Sequence, residues 1–190
     1  MPLRLGPAGV PLSCKGRTIV EGMDDITSLG LDAMEIQTVR TVQPKNFDQY
    51  WQAGILSWNS DLEMNLHGPY YAELLGTRRE RNRTLTKMEA SMQAGKIVNA
   101  RHLVYHVGPY GEYEPGVEAN EQVANVFAGV VERVNQIWGD KSEEEDYAAF
   151  PWVNKAKPSL VGIETSGRQD LWGTVEEVIE VCNHVEGTVP

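Results

Sequence analysis

Short apolar runs alternate with longer amphipathic stretches along this 190-residue chain, and that alternation limits its folds more than any other feature. Short apolar runs read as buried strands and a three-and-four apolar step as helix, so the pattern predicts repeated βα units around a parallel sheet. The strand candidates are Ala33–Val39, Leu62–Leu66, His102–Tyr105 and Ser159–Ile163, with a weaker one at Leu3–Leu5 and a last run beginning near Thr188. Helix patterns fall between them at Thr18–Leu29, Phe47–Trp58, Arg78–Val98, Val117–Trp138 and Thr174–Val185. In the fourth, Val123, Val126, Phe127, Val130, Val134 and Ile137 share one face, which should meet the sheet. Thr174 before Val175-Glu176-Glu177 reads as an N-cap with acids at the positive end of the helix dipole.

Such a repeat either closes into an eight-stranded barrel of about 250 residues or stays open as a doubly wound sheet. The chain supplies about five of these units, so the sheet is open or the later part of a barrel is missing. Gly139–Pro158 interrupts the rhythm: it opens acidic (Asp140, Glu143, Glu144, Glu145, Asp146) and contains Pro151 and Pro158, so it cannot be one regular element. Because the rhythm resumes after it, it reads as a surface insertion in a single domain spanning 1–190.

With 41% hydrophobic and 23% charged residues, the composition is that of a globular domain. No stretch approaches the roughly 18 uninterrupted apolar residues of a spanning helix, and Met1–Leu12 lacks a charged segment followed by an apolar one. No membrane association and a cytoplasmic location are therefore expected. Cys14 and Cys182 are far apart without a CxxC partner, which points to neither a disulfide framework nor a cysteine metal site. A net charge of −10 opposes indiscriminate binding to nucleic acid. The one basic stretch, Arg78, Arg79, Arg81, Arg83 and Lys87, reads equally as a solvated helix start or a phosphate contact.

In parallel α/β proteins the C-terminal strand ends converge on the face where ligands bind. Three successive candidates end there in metal-ligand residue types: His67-Gly68-Pro69-Tyr70-Tyr71, His106-Val107-Gly108-Pro109-Tyr110-Gly111 and Glu164-Thr165-Ser166-Gly167. A lone histidine after an apolar run is usually structural, but three coincident strand ends favour a catalytic metal site. Two imidazoles and a carboxylate suit zinc, manganese or iron. His102, at a strand start, and His184, on the last helix, read as structural, and Trp51 and Trp58 read as packing against the sheet.

The chain resembles the endonuclease IV family, in particular its archaeal-type members, over nearly its whole length. The resemblance is carried by Leu5-Gly6-Pro7-Ala8-Gly9-Val10-Pro11, Ser13-Cys14-Lys15-Gly16, Leu29-Gly30-Leu31-Asp32-Ala33-Met34-Glu35, the His67 and His106 segments, and Gly162-Ile163-Glu164-Thr165-Ser166-Gly167. It implies a (β/α) TIM barrel of the sugar-isomerase-like kind, present here with about five of its eight βα units. It also implies zinc, with manganese the alternative, and hydrolysis of double-stranded DNA on the 5′ side of abasic sites, as in base excision repair. His67, His106 and Glu164 would be metal ligands, Glu164 also catalytic as a bridge between metals. Tyr70 would hold the duplex open with Tyr71 beside it, and Arg40 would meet a phosphate.

The family's next ligands form an Asp-x-x-His motif on the sixth strand, where Val189-Pro190 stand last. The expectation is therefore a chain holding the first part of the site and inactive alone. One rival is a metal-dependent sugar isomerase or epimerase of the same fold; such relatives use a glutamate equivalent to Glu164 but lack paired histidines at the two preceding strand ends. The other is a non-catalytic truncated module. No protein partner is legible in the sequence.

Overall fold

The computed structural model describes residues 3–42, 47–139, Trp152 and 158–190. Its elements in chain order are α1 (Ile19–Ser28), β1 (Ala33–Gln37), α2 (Phe47–Ser60), β2 (Glu63–His67), α3 (Arg78–Ile97), β3 (Ala100–Tyr105), β4 (Gly108–Pro109), α4 (Val117–Gly139), β5 (Leu160–Ile163), β6 (Leu171–Trp172), α5 (Val175–His184) and β7 (Thr188–Val189). Four strands and all five helices lie within a few residues of where the alternation predicts them.

The main sheet is parallel, with strands in the order β1-β2-β3-β5-β7. Each new parallel strand joins the same growing edge, and the order never reverses as it does in a doubly wound sheet. Sequential addition is barrel topology, here a partial one. Successive helices pack on one another as a layer, α1 on α2, α2 on α3, α3 on α4 and α4 on α5.

The helix-facing side of the sheet makes the core: Met34, Ile36, Met64, Leu66, Leu103, Tyr105, Val161 and Ile163 are all buried. Val123, Phe127, Val130 and Val134 of α4 are buried against it, with Val126 and Ile137 at its margin, as their spacing requires. Thr18, Thr77 and Thr174 each close a reciprocal capping box, with Glu21, Glu80 and Glu177. Hydrogen bonds from Thr18 and Thr77 hold the Glu21 and Glu80 carboxyls below their ordinary values.

Two expectations need correction, those for Leu3–Leu5 and for Trp58. Leu3–Leu5 is no strand: the chain pairs with β1 further on, through a parallel bridge between Ala8 and Glu35, with Gly9 N donating to Glu35 O at 2.8 Å and Glu35 N to Pro7 O at 3.0 Å. Pro7 has no N–H to donate, so the ladder is interrupted at its start. Trp51 packs on the core, but Trp58 is half-exposed and stacks on Trp152 with ring centroids 5.9 Å apart. The acidic part of the Gly139–Pro158 insertion lies outside the described residues. Trp152 within it is buried and donates Nε1–H to Ile97 O at 2.9 Å, so that position is not a surface one. Among the described residues no helix is long and apolar enough to cross a membrane.

Gly6 lets the N-terminal segment lie against β1, because a Cβ there would sit 1.7 Å from the Ala33 carbonyl oxygen. Gly6→Ala should therefore cost about 1–3 kcal/mol of stability in urea unfolding. Gly129→Ala in α4, where a Cβ meets nothing within 4 Å, should instead add about 0.5–1 kcal/mol.

Candidate metal centre

Strand register brings the three ligand-type residues together. Between Met64 and Leu66 of β2 the pairing with β3 slips, so that Met64 faces Ala100 but Leu66 faces Leu103. The extra β3 residue is a bulge, and it reverses the in-out alternation of everything after it. Leu103 and Tyr105 consequently point to the helices, while His102, Val104 and His106 share a face with Asn65 and His67. β5 then pairs without a slip, Tyr105 to Ile163, which sets Glu164 beside His106.

His67 Nε2 lies 2.7 Å and His106 Nε2 3.5 Å from Glu164 Oε2, and the two imidazole centroids are 5.0 Å apart. One donor atom from each residue can be chosen so that all lie within 4.8 Å of one another. No second cluster of this kind occurs among the described residues. The histidine side chains are 12% and 17% exposed and the glutamate 44%, so the carboxylate forms the open side. His67 Nδ1 sits 2.9 Å from Gly68 O, a contact that requires an N–H there. Both nitrogens of His67 thus face oxygens, and a cation shared between Nε2 and Glu164 would satisfy the second contact. A backbone carbonyl fixing Nδ1–H is the usual outer support of an Nε2 metal ligand. Burial pushes the His106 imidazole below its ordinary value of 6.5, with Glu164 opposing and His67 reinforcing the shift, which favours the neutral form a metal needs. The donor set therefore fits a divalent metal.

The loops bearing these residues are fastened to one another by their backbones. His67 O accepts from both Thr38 N and Thr38 Oγ1, at 3.0 and 2.8 Å; Gly68 N donates to Val104 O at 2.8 Å; Leu74 N to Val107 O at 3.1 Å; Glu164 N to Tyr105 O at 3.0 Å. Gly108 adopts φ +96°, and a Cβ on it would lie 1.9 Å from Ala72 O, so the loops after β2 and β3 touch through bare backbone. β4 and β6 form a two-stranded antiparallel ladder joining the loop after β3 to the loop after β5. Tyr110 of the first loop donates to Glu177 of α5 at 2.8 Å. Burial and that carboxylate push the phenol up to about 12.

Of the remaining expected site residues, Tyr70 belongs to the cluster's rim. It is half-exposed, with its ring edge-on to His106 at 4.9 Å and to Tyr71 at 5.3 Å. Tyr71 is more exposed and meets the Tyr70 ring edge-on. Arg40 is exposed in the loop after β1 and makes no hydrogen bond or ion pair among the described residues. His102 shares Asn65 Oδ1 through its N and Nδ1, and His184 Nδ1 caps Glu180 O, so neither joins the cluster. Arg168, paired with Asp170 at 2.6 Å in the loop after β5, was not singled out by sequence, since a lone arginine in a loop carries no spacing signal.

The lowered His106 value, like that of half-buried His102, contributes to the pH response of the metal-free protein. The unfolded chain takes up this proton near pH 6.5 and the folded one only lower, so stability is full above about pH 6.5 and declines as pH falls toward the folded value. Urea unfolding followed down to about pH 5 should show that decline, and His106→Asn should make it shallower.

No protein-family model matches the chain, and no curated protein matches its sequence. Solved structures do match. A D-tagatose 3-epimerase-like protein superposes with TM-score 0.62 at 18% identity, over 94% of this chain and 60% of its own. The IOLI protein with a binding zinc atom gives 0.61 at 13%, over 88% and 54%. Endonuclease IV from Thermus thermophilus gives 0.56 at 19%, over 94% and 59%. These likenesses show the fold, a partial (β/α) TIM barrel, and the chain spans between 54% and 60% of the lengths of these three proteins.

Proposed function

We propose that His67, His106 and Glu164 hold zinc, with manganese as the alternative, in a phosphodiesterase that cuts double-stranded DNA 5′ to abasic sites. The observation that carries this reading is the pairing of two imidazoles with one carboxylate on adjoining loops, with the Tyr70 ring set on one of the imidazoles. A bound divalent metal supplies a Lewis acid for a phosphoryl oxygen. Glu164, on the open side, orients the site toward solvent and substrate, and the two histidines define its closed side. Tyr70 offers a half-exposed face for a base next to a missing one, with Tyr71 supporting it edge-on. Arg40, unpaired among the described residues, supplies a cation for a flanking phosphate despite the net charge of −10. Three donors are fewer than a multinuclear site takes, so these residues alone bind substrate without cutting it.

A second reading, a sugar isomerase or epimerase, is favoured by the structural likeness to the D-tagatose 3-epimerase-like protein and to L-ribulose 3-epimerase. The paired histidines and the aromatic rim favour the nuclease. Fluorescence anisotropy with the zinc-loaded chain separates the two. A duplex carrying one abasic analogue should bind at least several-fold more tightly than the intact duplex, and Tyr70→Ala should remove most of that preference. Equal affinity for both duplexes, together with displacement of either by a ketohexose, would overturn the nuclease reading.

A further inference from the structure

The ladder between β4 and β6 is anchored from below by a buried polar chain that the metal chemistry does not use. Trp172 of β6 is 1% exposed, and its Nε1–H donates to Asn120 Oδ1 of α4 at 2.8 Å. Asn120, 7% exposed, donates Nδ2–H to Glu180 Oε2 of α5 at 2.7 Å. An indole N–H and a side-chain amide at such depth are costly to bury unpaired, so each bond fixes the rotamer of the next residue. Trp172 is consequently held by both outer helices at once.

Its strand meets both the loop that follows His106 and the loop that follows Glu164. Trp172 pairs with Gly108, two residues after His106. The next residue, Gly173, accepts from Ser166 N at 2.7 Å, and Ser166 stands two residues after Glu164. The placement of Trp172 therefore bears on the backbone near His106 through Gly108 and on the backbone near Glu164 through Gly173, and the donor atoms of these two residues lie 3.5 Å apart. We infer that Trp172, Asn120 and Glu180 form a positioning strut that sets the spacing of His106 and Glu164 for the metal. The inference rests on the reading of the trio as a metal centre.

Reversal of the hydrogen-bond polarity tests it. Asn120→Asp still accepts from Trp172 but has no N–H for Glu180, so two carboxylates face each other at bonding distance. Adding Glu180→Gln restores a donor and returns the charge to its original value. The probe is Co2+ alone, titrated into the metal-free chain and read by its visible absorption, with urea unfolding run in parallel. Asn120→Asp should weaken Co2+ binding about tenfold and alter the band shape, and the double variant should restore both. Val130→Ala, a core cavity on α4 away from the loops, should lower stability while leaving the Co2+ affinity and bands unchanged. If Asn120→Asp does not fold, Trp172→Phe, which keeps an aromatic side chain but removes the indole N–H and part of its bulk, should give the same loss of Co2+ affinity, with the Val130→Ala cavity variant as the control for lost packing. Folded variants with unchanged affinity and bands, or a double variant no better than the single one, would overturn the strut. Failure of the unaltered chain to bind Co2+ would instead overturn the metal reading itself.

Discussion

One extra residue in β3 decides where the site's chemistry points. Strand side chains alternate with period two, so an uninterrupted pairing from Met64 and Ala100 onward would turn His106 toward the helices and away from His67. The bulge before Leu103 reverses that parity. It gives the core Leu103 and Tyr105 and gives the ligand face His102, Val104 and His106. Because β5 follows β3 without a slip, Glu164 inherits the corrected register. The loops above then need only hold what the strands have aimed, through backbone bonds at Gly68, Leu74, Glu164 and Ser166.

Much of this was legible in the sequence, for physical reasons that differ by element. The apolar stripe of α4 and the cap at Thr174 are local patterns, and both are found as read. That His67, His106 and Glu164 stand at one end of the sheet followed from a topological rule, that parallel strands end on one face, whereas the turn of His106 toward His67 depends on the register. The bulge was not legible, since β3 begins two residues before the apolar run at His102 and nothing in Ala100-Arg101-His102 marks an inserted residue. Pairing of the N-terminal segment through Ala8 was likewise hidden, because glycine and proline carry no strand signal, while the missing Cβ of Gly6 is what lets the segment lie against Ala33. Trp152 and the Trp172 to Glu180 chain depend on contacts across tens of residues, which no local pattern encodes.

The parallel sheet, its strictly sequential strand order and the one-sided helix layer explain why sugar epimerases and an endonuclease superpose on the same chain. A shared barrel does not choose between them, because function resides in the side chains at the strand ends. Here those are two imidazoles, one carboxylate and an aromatic rim, carried on loops that are bonded to one another through their backbones.

The most direct test of the central claim is X-ray absorption at the zinc edge of the zinc-loaded chain. Two imidazole ligands plus oxygen, at about 2.0–2.2 Å, are predicted, falling to one imidazole in either His67→Ala or His106→Ala. A sulfur shell near about 2.3 Å, which only Cys14, Cys182 or a methionine could supply, or an imidazole count untouched by both substitutions, would contradict it.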